Sequence, residues 1–253
     1  MEVPSQSLES CKWGCHYVDE KGGLMARHYG VYSIKLDGRW SLEDLYRFPR
    51  TYEQAYFALD ALIPSESEID LDRVRRAFEA FPWHGGYSAV NFYNQLKYAT
   101  PIKSRPSVRA IEYASPGFLD LALILEQAQT LAAIVAAVAG SITACNALYN
   151  KIMNDLQRRK LLRIQVEKAE ISLSREELKL IRQYSKEMAE LLVIGTPDAL
   201  EERTQRPLVS LKILLSVYRR IRTLAEYQNK RKAVLPIRTP RSARLPPPQD
   251  DLF

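Results

Sequence analysis

The side chains able to do chemistry beyond packing fall in three places. The first is CKWGCH, which sets Cys11, Cys15 and His16 close together, with His28 as the nearest further imidazole. Thiolates and imidazoles are the usual zinc ligands. A structural zinc site needs four of them in a recognised spacing, and this run lacks it. Free thiols on a flexible extension over 1–29 are therefore expected, with no metal site. The second place is FPWHGGYSAVNFYNQL, where His84 stands on a glycine turn between Trp83 and Gly85-Gly86-Tyr87. Asp37, Glu43 or Asp44 would have to orient His84 as a general base, and Ser88 would be the nucleophile. That would make the chain a hydrolase. No elbow or paired motif joins these residues, and no catalytic residue is assigned. The turn Trp83, His84, Gly85, Gly86 and Tyr87 is instead a candidate interaction turn.

The third place is basic. Residues 201–253 hold 12 Lys and Arg against five Asp and Glu, although the whole chain carries only +6. Arg219, Arg220, Arg222, Lys230, Arg231 and Lys232 form a candidate anion-binding cluster near Tyr218 and Tyr227. Such a cluster suits phosphates, but no nucleic-acid module accompanies it. A solvated helix face explains it better. Ser115-Pro116-Gly117 reads as a rigid connector between elements rather than a ligand loop. No Walker-type or dinucleotide glycine pattern occurs, so no cofactor is expected.

The longest chemical signal is apolar. No charge occurs from Gln127 to Asn150, a length that crosses a bilayer. Within it Ala128, Ala132, Ala136, Gly140 and Ala144 recur every four residues, a row that admits another helix backbone at close range. As a single span, with Lys151, Arg158, Arg159 and Lys160 on its inner side, it would leave residues 1–120 outside with no visible export signal. Gln127, Gln129, Thr130, Ser141, Thr143 and Asn146 would also need partners in lipid. A helix buried in a bundle, coiled coil or oligomer is the preferred reading. Gly140→Leu should then force the packed helices apart.

The elements that position these residues are read as follows. VYSIKL alternates as a strand and stops at Asp37-Gly38. Ser41 with Asp44 caps a helix that Pro49 ends, and Thr51 with Gln54 opens another through Ala61. Asp70 caps a helix to Ala80 with Leu71, Val74 and Phe78 inward. Ser88 caps one carrying Val90, Tyr93 and Leu96. VRAIEYA, 108–114, pairs with VYSIKL. From Phe118 the chain is helical to about Lys160, and LLRIQVEKAEISL, 161–173, either continues the helix or forms two short strands; the interleaved Lys, Glu, Arg and Gln without a turn signal favour helix. Ser174 with Glu177 caps a further helix, and Pro207 opens the last one, to Lys232. The fold class is α+β: a small domain over 30–116, a helical region over 117–235 and a disordered Pro-rich tail over 236–253.

The strings LDGRWSLEDLYRFPRTYEQAYFALDAL, FPWHGGYSAVNFYNQLKYATP and RPSVRAIEYASPGFLDL are similar to those of a family of uncharacterised bacterial proteins. The resemblance covers roughly residues 31–235. It implies a bacterial intracellular protein with the two regions in one unit, and brings no activity or catalytic residue. With three cysteines and a mean hydropathy of −0.27, the chain suits a reducing cytoplasm and not a multi-span membrane protein. The function read here is a non-enzymatic interaction or assembly protein, a homo-oligomer or the binder of a protein partner. Membrane insertion of residues 127–150 and a hydrolase at His84 are the alternatives.

Overall fold

A computed structural model describes residues 28–62, 70–80, 87–159, 161, 173–194 and 197–237. The architecture is α+β. A four-stranded antiparallel sheet in the order β2-β3-β1-β4 is built from β1 (Tyr29–Leu36), β2 (Ser107–Glu112), β3 (Gly117–Ile124) and β4 (Ala233–Val234). Helices follow as α1 (Leu42–Leu62), α2 (Leu71–Ala80), α3 (Tyr87–Ala99), α4 (Leu125–Gly140), α5 (Ile142–Arg158), α6 (Arg175–Leu191), α7 (Pro197–Thr204) and α8 (Pro207–Asn229).

The turn after β1 and three of the expected helix starts are as read. Gly38 has φ +69° and its N–H is accepted by Asp37 Oδ1 at 2.8 Å, which turns the chain out of β1. Ser41 and Asp44 exchange hydrogen bonds at 3.0 and 3.1 Å at the head of α1. Ser174 and Glu177 close a complete capping box on α6. Asp70 accepts from Arg73 N at 2.9 Å and so starts α2. On that helix Val74 and Phe78 are buried, but Leu71 is exposed.

Several expectations are corrected. Phe118 does not begin a helix. GFLDLALI is β3, an inner strand whose Leu119, Leu121 and Leu123 face the core beside Ile34, Tyr32 and Gly30 of β1. VRAIEYA therefore pairs with β3 and not with VYSIKL. The sheet thus crosses the boundary placed at 116/117. Helix α1 runs through Pro49, which forfeits one helical hydrogen bond. Burial of almost every residue from Thr51 to Leu62 outweighs that loss. The expected Thr51–Gln54 cap lies mid-helix, as Ser88 lies inside α3. The long apolar helix is two helices, α4 and α5, bent by 87° at Ser141. The helix expected over 161–173 falls almost wholly outside the described residues, as do most of the 1–29 extension and of the 236–253 tail.

The centre of the molecule is α8. Every residue from Leu208 to Tyr218 is buried, because α1, α4, α6 and α7 all pack on it. Its polar residues are matched individually. Ser216 Oγ lies 3.1 Å from Tyr93 Oη, Ser210 Oγ 2.6 Å from Thr204 Oγ1, and Tyr218 Oη donates to Asn146 Oδ1 at 2.8 Å. Within the buried run 208–218, Lys212 is the exception. It is 6% exposed, and its Nζ has no hydrogen-bond partner among the described residues. Burial pushes its amine pKa down. Lys212→Met is expected to stabilise the fold by about 1–3 kcal/mol at neutral pH, since an unpaired buried cation is replaced by a side chain of similar volume. The folded pKa is depressed, so the wild type regains this deficit as pH rises from the folded value towards the unfolded one near 10.4. Denaturant unfolding at pH 7 and pH 10 should show the advantage of the variant shrinking. A variant less stable at pH 7 would defeat the argument.

Candidate interaction surfaces

Two surfaces carry the features that packing leaves unused. The first is a groove of about 580 Å³ between the sheet and two helices. One wall is a face of α1 at helical spacing, Tyr46, Pro49, Arg50 and Glu53. The other is α3, with Tyr93, Asn94 and Lys97. Leu119 and Leu121 of β3 and Val108 of β2 also line it. Lys97 Nζ meets Glu53 Oε1 at 2.7 Å and so bridges the two helix walls. The Arg50 guanidinium lies 5.5 Å from the Tyr46 ring centre and donates to its hydroxyl. Behind the groove, Arg220 lies 4.8 Å from the Tyr93 ring and donates to Gln54 Oε1 at 2.7 Å. Burial raises the phenol pKa of both Tyr52 and Tyr93, so both stay protonated.

The groove exists because the helical layer stops short of β2. All six residues of β2 are exposed, including Val108 at 55% and Ile111 at 59%. In register these two sit opposite Leu121 and Leu119, the buried residues of β3. They therefore belong to the helix-facing side of the sheet, yet lack a cover among the described residues.

The second surface is the elbow between α4 and α5. The small-residue row does not stay on one surface. Ala128 and Ala132 are fully buried, Ala136 is half-buried, and Gly140 and Ala144 are exposed on either side of the bend. One side of α4 is consumed by α8 and α1. What points outward is a different set: Ala133, Ala137 and Gly140, flanked by Ala136. A Cβ added at Gly140 meets nothing within 4 Å, so no contact among the described residues requires that glycine, and the separation of α4 and α5 expected for Gly140→Leu has no basis in a close approach within the chain.

The remaining sequence-selected residues are dispersed. Trp83, His84, Gly85 and Gly86 lie outside the described residues, and Tyr87 opens α3. The carboxylates offered to His84 have other partners. Asp37 accepts from Ser115 Oγ at 2.6 Å, Glu43 faces Arg47 at 3.9 Å, and Asp44 accepts from Tyr227 and Lys232. The basic cluster divides as well. Arg220 is held by Gln54 and Tyr93, Arg222 by Glu226 at 3.4 Å and the Tyr149 ring, and Lys232 by Asp44 at 2.8 Å. Arg219 is partly buried, which leaves Lys230 and Arg231 as the fully exposed members. His28 pairs with Glu126 at 2.6 Å. Among the described residues no group of His, Cys, Asp and Glu could hold a metal ion.

No single described helix is long and apolar enough to cross a membrane; α4 and α5 pass that test only as a bent pair. The groove escaped sequence reasoning for two reasons: its α1 wall spans Pro49, and its floor strand reads as helix. No protein-family model, no curated protein and no solved structure matches this chain.

Proposed function

We propose that this chain is a non-enzymatic interaction or assembly protein whose apolar α4–α5 segment packs against a second copy of itself. The observation that carries the reading is the outward face of Ala133, Ala136, Ala137 and Gly140. Its side chains are short enough for a second helix backbone to approach closely. The open space at Gly140 makes the test clean. Gly140→Leu adds bulk that the monomer accommodates, and it removes a glycine from a helix, so unfolding should be unchanged or slightly more stable. The wild type is expected to show concentration-dependent association by light scattering on sizing, and Gly140→Leu to remain monomeric over the same range. Equal masses for the two proteins at every concentration would end the proposal.

The bent apolar pair favours one second reading, insertion into a membrane. That reading predicts retention of the untagged protein on membranes through high salt and alkaline carbonate, with release only by detergent. Self-association predicts recovery without detergent.

A further inference from the structure

The groove and the bare strand beside it ask for an occupant. Strand β2 ends the sheet, so its outer N–H and C=O groups have no strand neighbour among the described residues. Its inward Val108 and Ile111 are uncovered. A free edge with exposed apolar residues is a template for one more extended chain. The charge at this place selects the kind of chain. Arg50 lies on the groove wall, Arg105 just before β2, and Arg109 is the extra residue of the bulge between Val108 and Ala110. Arg50 and Arg105 rest against the Tyr46 and Tyr98 rings, and none of the three pairs with a carboxylate among the described residues. The acidic residues nearby are Glu53, taken by Lys97, Glu112 at the far end of β2, and Asp120 of β3, which lies opposite Ala110 and so off the side of the sheet that carries Leu119, Leu121 and the groove. A second copy pairing edge to edge through β2 would bring these arginines against their own copies. An acidic segment with apolar residues fits instead.

This chain contains such a segment. Residues 249–253 read QDDLF: Asp250 and Asp251 are followed by Leu252 and Phe253. We propose that the groove and the free edge of β2 form a docking site for acidic, apolar-tipped peptides, and that its resident occupant is residues 249–253 of the same chain. Reach is ample. The described chain leaves β4, three strand spacings from β2, roughly 14 Å across the sheet. The 11 residues 238–248 span up to roughly 36 Å when extended. A run such as Pro246-Pro247-Pro248 favours extended backbone, which lowers the entropy lost on docking. Asp250 and Asp251 then meet Arg50 and Arg109, and Leu252 and Phe253 cover Val108 and the groove floor.

The test uses the full-length chain and a full-length variant in which the resident segment is disabled: Asp250→Lys, Asp251→Lys, Leu252→Ser and Phe253→Ser together. The probe is a labelled peptide, LPPPQDDLF, followed by fluorescence anisotropy at protein concentrations where both chains are monomeric. The disabled variant is expected to bind it with Kd on the order of 10 μM. The wild type should bind several-fold more weakly, because its own segment competes. Adding Arg109→Glu to the disabled variant, or giving the peptide QKKLF at its end, should weaken binding about tenfold. The altered peptide keeps the charge test independent of how Arg109→Glu folds. No saturable binding would overturn the site. Equal binding by wild type and disabled variant would overturn the resident occupant, and binding indifferent to charge reversal would overturn the acidic specificity. None of these outcomes depends on the Gly140→Leu result, so this site and the self-association proposal fail separately.

Discussion

Gly117→Ala is expected to cost about 3 kcal/mol of stability, near the upper end for overpacking. A Cβ built at this position lies 2.3 Å from the carbonyl oxygen of Glu112 and 2.8 and 2.9 Å from the backbone N and O of Ala114. All three are main-chain atoms, so no side-chain rotation relieves the clash. The connection must move, and it is held from the other side by Ser115 Oγ, which donates to Asp37 at 2.6 Å. Gly117 is also the first residue of the inner strand, paired with Leu36 of β1 and followed by Phe118 opposite Glu112 of β2. A shift there disturbs both ladders and tilts the groove floor at Leu119. Urea unfolding should show a lower midpoint with little change in slope. A loss below about 0.5 kcal/mol would mean that the hairpin adjusts freely and that the close approach is not a constraint. Gly140→Leu, with a larger side chain but open space around it, is the matched control.

How much of this was legible in the sequence depends on the range of each interaction. Ser41 with Asp44, Asp70 and Ser174 with Glu177 act over three residues, and all three begin helices as read. Strand β1 alternates because one of its sides faces solvent at Ser33 and Lys35. Strand β3 has Ala122 and Ile124 buried as well as Leu119, Leu121 and Leu123. Its apolar run therefore lacks a period and merges into α4 without a break. Continuation of α1 through Pro49 is decided by tertiary burial of Thr51 to Leu62, which no local rule supplies. The four-residue row from Ala128 to Ala144 presumes one straight helix. Each four-residue step turns about 40° round a helix, so the row has already left the buried side of α4 at Gly140, and the bend at Ser141 then sets Ala144 on a different helix. The groove needed both Pro49 and β3 to be read correctly, so it emerges only with the fold.

The second large effect concerns Asp44, whose carboxylate joins the beginning of α1 to the end of α8. It accepts from Ser41 N and Oγ at 3.0 Å each, from Tyr227 Oη at 2.9 Å and from Lys232 Nζ at 2.8 Å. Around it Trp40 stacks on Tyr227 with ring centres 5.6 Å apart, and Phe48 meets Tyr227 at 5.3 Å. Asp44→Ala removes the reciprocal half of the capping box and leaves a partly buried ammonium and phenol without their acceptor. A loss of about 2–3 kcal/mol at pH 7 is expected. Asp44→Asn keeps an acceptor and should lose about half as much.

The pH dependence follows from the sign of the shift. The Lys232 ammonium first, and then the Ser41 N–H, hold the Asp44 carboxyl well below the usual carboxylate range. A depressed folded pKa contributes stability that is fully present above the unfolded value near 3.9 and is lost as pH falls through the folded one. Tyr227, whose pKa is pushed up to about 12 by burial first and then by Asp44, stays a neutral donor through neutral pH. The gap between wild type and Asp44→Ala should therefore be flat from pH 5 to pH 8 and narrow steadily below about pH 4. Unfolding curves across that range decide the matter. A gap that stays constant into strong acid would assign the loss to the packing of the α1 end alone. A gap absent at pH 7 would show that Trp40, Phe48 and Tyr227 hold the junction without the charge.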